Sequence, residues 1–78
     1  MDYENRIICN PKILLGKPTI KGTRIPVELI LRMLAAGVDY AEILEEYPDL
    51  TREDILAALG YAKDTVEVEE VRHVEAVV

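Results

Sequence analysis

Large aromatic residues are missing from this chain: among 78 residues there is no Phe, no Trp and only four Tyr. A core without big rings must be built from Ile, Leu, Val and Ala, and a chain this short can enclose one such core. A domain of this size buries about 60% of the surface its unfolded chain exposes, which leaves no room for a deep enzyme cleft and favours reliance on a partner or a second copy. Cysteine is almost absent too. Cys9 stands alone, which excludes an intramolecular disulfide and every multi-cysteine zinc pattern and fits a reducing cytoplasm. With His73 the single histidine and Cys9 the single thiol, the sequence offers no pattern that builds a nucleophile–base pair. Gly16-Lys17-Pro18-Thr19 lacks the glycine spacing of a phosphate loop, and Pro18 removes an N–H that such a loop needs. Glu42 and Glu46 lie one helical turn apart but have no organising turn glycine, so a solvated helix face is expected there. The sequence therefore predicts a non-enzymatic protein with no cofactor and no metal.

Long apolar runs are also lacking. None approaches the roughly 18 residues needed to cross a bilayer, and Met1 to Arg6 is too polar and acidic for a secretory signal. The expectation is a cytoplasmic protein with no membrane association.

Basic residues are in the minority, 9 against 15 acids, for a formal net charge of -6. That balance opposes indiscriminate coating of nucleic acid. The distribution is uneven, however. Residues 1–26 carry Arg6, Lys12, Lys17, Lys21 and Arg24 against only Asp2 and Glu4, whereas the remainder is strongly acidic. Any phosphate would meet the N-terminal segment, or basic and acidic faces of two copies would meet each other.

What is present reads as short extended pieces followed by three helices. Arg6 to Cys9 and Thr19 to Ile25 are partly β-branched and are interrupted by Asn10-Pro11, Gly16, Pro18 and Gly22-Thr23, which predicts short strands or extended loops. Pro26 is suited to the first position of a helix running from Val27 to about Ala36, with Val27, Ile30, Leu31, Leu34 and Ala35 inward and Gly37 as its stop. Asp39 and Glu42 form a capping-box pattern for a second helix from Tyr40 to about Glu46, which Pro48 terminates. Thr51 caps a third, with Glu53 and Asp54 in its first turn, a core face of Ile55, Leu56, Leu59 and Ala62, and Ala58 allowing close approach. The tight link between the last two helices fits a helix-turn-helix, as it fits any small three-helix bundle.

From Thr65 onward the character changes. Val66 and Val68 alternate as in a strand, while Val71, Val74 and Val77 recur as in a helix, and neither period prevails. Such a row of valines interspersed with acids reads as an interaction arm. The organisation expected is thus an extended or hairpin segment at 1–26, a helical domain at 27–64 and an arm at 65–78.

The ordered motifs Gly16-Lys17-Pro18-Thr19-Ile20-Lys21-Gly22-Thr23-Arg24-Ile25-Pro26-Val27, Leu34-Ala35-Ala36-Gly37, Ile43 to Thr51 and Asp54 to Leu59 give the chain a resemblance, over about two-thirds of its length, to domain-of-unknown-function family 433. That family resembles VapB-type antitoxins. The resemblance implies a mainly α fold, a three-helix, homeodomain-like (helix-turn-helix) bundle with a short N-terminal β segment and a C-terminal arm. It also implies a homodimer that binds its own operator DNA, with the arm occupying the active site of a PIN-like ribonuclease toxin. The family supplies no catalytic residues. Its motif positions Gly16, Lys17, Gly22, Thr23 and Arg24 carry over as a structural turn and a phosphate contact.

In this reading the partner-binding residues are Val66, Glu67, Val68, Glu69, Glu70, Val71, Val74 and Glu75, the acids competing with substrate phosphates and the valines anchoring. Nucleic-acid contacts fall to Lys17, Lys21, Arg24 and Arg52, since Glu53 and Asp54 make the start of the third helix a poor reader of a major groove. Two other readings stand beside it: a DNA-binding regulator without a protein client, and a homo-oligomerisation module.

Overall fold

The computed structural model describes residues 3–69, with side chains through Glu67. Its order is β1 (Ile7–Ile8), β2 (Thr19–Ile20), α1 (Val27–Ala35), α2 (Tyr40–Glu46) and α3 (Arg52–Glu69). The fold is mainly helical with a minimal two-stranded sheet, as the residue pattern predicts.

β1 and β2 pair antiparallel with Ile7 opposite Ile20 and Ile8 opposite Thr19. The chain then reverses through Gly22, whose φ of 84° is open to a residue without Cβ. Thr23 closes this turn: its hydroxyl donates to the Ile20 carbonyl at 2.8 Å and accepts from the Ile25 N–H at 3.0 Å. The returning Ile25–Pro26 lies beside β2, with the Ile20 N–H donating to the Ile25 carbonyl at 3.0 Å and the Val27 N–H donating to the Pro18 carbonyl at 2.9 Å. Pro26 is accordingly the residue before α1, in extended conformation with ψ of 151°, rather than its first helical residue. Pairing of Pro26 with Thr19 holds it outside the helix.

The cap signals act as the sequence predicts. Gly37, at φ 90°, ends α1. Asp39 and Glu42 form a complete capping box at α2. At α3 the reciprocal pair is Thr51 and Asp54. The Asp54 N–H donates to Thr51 Oγ1 at 3.2 Å, and the Thr51 N–H donates to Asp54 Oδ2 at 3.0 Å. The other oxygen of Asp54 receives Arg6 Nη1 at 3.1 Å, so this carboxylate, on a residue only 7% exposed, joins the residue just before β1 to the start of α3.

The core is aliphatic throughout: Ile20, Val27, Ile30, Ile43, Leu50, Ile55 and Ala58. One expectation for α3 needs correction. Leu56 and Leu59 do not face the core but sit at 36% and 37% exposure, while Ala57 and Ala58 are fully buried beside Ile55. With Asp54 turned inward to Arg6 and Thr51, the helix presents its small residues to its neighbours, and the two leucines rotate outward. Ala35 is likewise exposed at the end of α1. The third helix continues past its last core-facing residues to Glu69. Its extension is held by the i, i+4 ion pair of Lys63 with Glu67 at 3.0 Å and by Thr65 Oγ1 donating to the Tyr61 carbonyl at 2.9 Å.

Candidate functional site

Three surfaces carry the residues singled out from the sequence. The first is a groove of 410 Å³ lined by Leu14, Leu15, Lys17, Arg24, Pro26 and Glu28. It brings Lys17 and Arg24 together and adjoins a smaller hollow of 170 Å³ where Lys17 and Glu28 meet Pro18, Val27, Leu31 and Tyr61. Lys17 is not an unengaged cation, because its Nζ lies 2.9 Å from Glu28 Oε2. That hydrogen bond, and then the charge of Lys17, hold the Glu28 carboxyl below the usual carboxylate range, with a lesser contribution from Arg32 at 3.8 Å. Arg24 and Lys21 are exposed, and neither forms an ion pair among the described residues. Gly16 and Gly22 both have positive φ, so the family motif's glycines shape the two turns while Lys17 and Arg24 project from them.

One wall of this groove has a backbone that the sequence does not announce. Leu14, Leu15 and Gly16 have φ of 50°, 57° and 85°, a single left-handed turn closed by the Gly16 N–H on the Ile13 carbonyl and the Lys17 N–H on the Leu14 carbonyl. Two leucines in that region cost about 1–2 kcal/mol each. Leu15 is nonetheless 94% exposed and recovers nothing by burial.

Arg52, the remaining predicted nucleic-acid contact, lies elsewhere. Its guanidinium stacks 4.8 Å from the centre of the Tyr40 ring, tying the start of α3 to the start of α2. With Arg52 on Tyr40 and Asp54 inside, the exposed acid of α3's first turn is Glu53.

The outer half of α3 forms the third surface. Val66 is 62% exposed, Glu67 is exposed and paired with Lys63, and the side chains of Val68 and Glu69 are not described. Glu70, Val71, Val74 and Glu75 lie outside the described residues, as does His73. This half of the helix is braced from the N-terminus by Tyr3, a contact that sequence reasoning missed. The Tyr3 hydroxyl donates to Asp64 Oδ2 at 2.8 Å, and its ring meets Tyr61 edge-on with centres 5.8 Å apart. The bond raises the Tyr3 hydroxyl above its ordinary value and, with lesser help from Lys63, keeps the Asp64 carboxyl below its own. Glu67 and then Asp64 raise Lys63. Gly60 explains the fit: a Cβ there would stand 3.1 Å from Tyr3 Cδ2. A glycine inside an otherwise ordinary helix was the one sequence signal of that seat.

Among the described residues no group of three or more His, Cys, Asp and Glu side chains is placed to hold a metal, and no helix is long and apolar enough to cross a membrane. Cys9 is free and exposed.

A small helical domain with a tied N-terminal hairpin, a basic turn and a projecting acidic helix is the class of protein these surfaces define. The chain belongs to the family described as "Protein of unknown function (DUF433)", which matches residues 7–62. It is similar to the crystal structure of a DUF433 member protein from Anabaena variabilis, at TM-score 0.76 and 36% identity, over 82% of this chain and 63% of that one. It is 39% identical over 57 residues to "Uncharacterized protein y4eO" of Sinorhizobium fredii, covering 73% of this chain and 26% of the relative. A 28-residue stretch, 36% of this chain, is 50% identical to an "Uncharacterized protein" of Archaeoglobus fulgidus and covers 78% of it. The chain thus spans about a quarter of the length of the Sinorhizobium relative and under two-thirds of the Anabaena chain.

Proposed function

We propose that this chain is a non-enzymatic, antitoxin-like binding protein that neutralises a PIN-like ribonuclease through the segment beginning at the outer half of α3. The observation that carries the reading is the continuation of α3 past the core with an apolar side chain, Val66, left open to solvent beside Glu67. Lying on a hydrophobic cleft wall, such a segment gains apolar burial, and its carboxylates occupy positions that substrate phosphates would take near a basic, metal-lined centre. Val66, Glu67, Val68, Glu69, Glu70, Val71, Val74 and Glu75 make up that arm. The cytoplasm is the compartment this function requires.

The test is affinity capture from the native cell with a tag on the N-terminus, leaving the C-terminal end free. Recovery of a small, basic nuclease in stoichiometric amounts, lost when the chain is cut after Asp64, is the expected result. Retention of that nuclease by the cut chain with unchanged affinity would refute the role of the arm.

Operator binding is a second reading, favoured by Lys21 and Arg24, which are exposed and without an ion pair among the described residues, rather than by α3, whose first turn is engaged with Tyr40, Thr51 and Arg6. Specific binding should then weaken steeply with salt, and Arg24→Ala should reduce the salt slope by about one unit. Absence of binding at low salt would remove this reading.

A further inference from the structure

Five large hydrophobic side chains are exposed among the described residues, and they form two groups: Leu14 and Leu15 on the left-handed turn, and Leu56, Leu59 and Val66 along α3. The two groups cannot cover each other within one chain. Tyr61 of α3 faces the hollow beside Lys17, on the side of the molecule that holds the left-handed turn. At 3.6 residues per turn, Leu56, Leu59 and Val66 stand about 140–160° round the helix from Tyr61. Each apolar group therefore faces its own direction.

The charges beside the two groups are opposite. Near Leu15 the groove holds Arg24, free of any ion pair among the described residues, while its other cation Lys17 is engaged by Glu28. One turn before Leu56 stands the exposed Glu53, and α3 as a whole carries Glu53, Asp54, Asp64, Glu67 and Glu69 against Arg52 and Lys63. A backbone held left-handed at two successive leucines, with Leu15 almost wholly in water, is strain without a return inside the monomer. Covering Leu15 would bury its side chain and offset that strain.

From these observations we propose that the left-handed turn is a docking knob for a second copy of this chain: Leu14 and Leu15 seat on the Leu56–Leu59 face of the neighbour's α3, and Arg24 meets the neighbour's Glu53. The joined surfaces are unlike and face different directions, so the contact closes a ring of copies or repeats as an open chain. The proposal rests on the body of the fold and is independent of what the C-terminal arm binds.

Sedimentation equilibrium over the micromolar to millimolar range tests it, with thermal melting run in parallel. The unsubstituted chain is expected to self-associate. Leu15→Gly relieves the strain at that residue and removes the more exposed side chain of the knob, so at a concentration where the parent is monomeric its melting midpoint should rise by about 4 °C, while association weakens about tenfold or more. A purely structural role for Leu15 would move both quantities the same way. Arg24→Glu and Glu53→Arg should each weaken association alone, and mixing the two variants should restore it. A chain that stays monomeric throughout the range, a Leu15→Gly variant that associates as tightly as the parent, or a mixture that fails to recover would overturn the proposal.

Discussion

The body of the molecule and the outer half of α3 are stabilised by different means. Between Arg6 and Ala62 each change of chain direction is closed by a specific bond: Thr23 on Ile20, Pro18 on Val27, Asp39 on Glu42, Asp54 on both Thr51 and Arg6. Beyond Ala62 the helix lies past the buried cluster and keeps its place through surface contacts, Lys63 with Glu67, Thr65 with Tyr61, and Tyr3 with Asp64. Exposed pairs of this kind contribute little, about 0.2–0.5 kcal/mol each for i, i+4 partners on a helix. The body is thus arranged to persist, whereas the outer helix is arranged to be reachable.

Substitutions should divide along that line. The largest effect is expected at the centre of the core. Ile43→Ala leaves a cavity where no neighbour can collapse fully, and should cost about 3 kcal/mol in a chemical denaturation measurement. Asp54→Ala removes the return half of the α3 capping pair, leaving the Thr51 N–H without its carboxylate, and strands Arg6, and should cost about 2 kcal/mol by the same measurement. Val66→Ser, by contrast, should change stability by under about 0.5 kcal/mol, the range of surface positions, while weakening capture of the arm's client. A stability loss at Val66 comparable with that at Ile43 would erase the distinction between the two regions.

The Tyr3 seat lies on the boundary and sharpens it. Gly60→Ala should gain about 1 kcal/mol of helix propensity when made in a Tyr3→Ala background, and distinctly less in the parent, where the new methyl meets the ring. Equal gains in both backgrounds would mean that the ring does not occupy that place.

The smallest effects are those of pH, and their signs follow from the shifts. Asp64 and Glu28 titrate lower in the folded chain than their ordinary values, so their contributions are complete above the ordinary carboxylate range and vanish as pH falls through the lowered values. Tyr3 is raised by its bond to Asp64, so its contribution is complete below the ordinary tyrosine value and is lost as pH rises through the raised one. A spectroscopic titration should find one of the four tyrosines ionising later than the rest, and that lag should disappear in Asp64→Asn.

Much of the fold is legible because its signals are local. Asp39 with Glu42, Thr51 ahead of α3, Gly37 and Pro48 each act on groups within one turn of themselves, and the helices begin and end close to where those residues predict. What escaped depends on partners distant in the chain. The inward turn of Asp54 is set by Arg6, 48 residues away, and it rotates Leu56 and Leu59 out of the core that their spacing suggests. Nothing in Leu14-Leu15 announces a left-handed turn, because the Gly16 that follows would equally serve a common one. The reach of α3 is ambiguous in the sequence because Val66 and Val68 fit a strand as well as a helix; the helix is what forms, with Lys63 paired to Glu67 one turn on. Of the cations expected at a phosphate, Lys21 and Arg24 stand open, whereas Lys17 and Arg52 are engaged by Glu28 and Tyr40.

The separation of a persistent body from a reachable arm is tested most directly by the chain cut after Asp64, which retains Tyr3, Asp64 and the whole core. Its retention of the nuclease captured by the full chain is the quantity to measure, with folding verified by circular dichroism. The account predicts a folded three-helix domain that no longer holds the nuclease. A folded, cut chain that binds it as tightly as before would place recognition on the body and contradict the account.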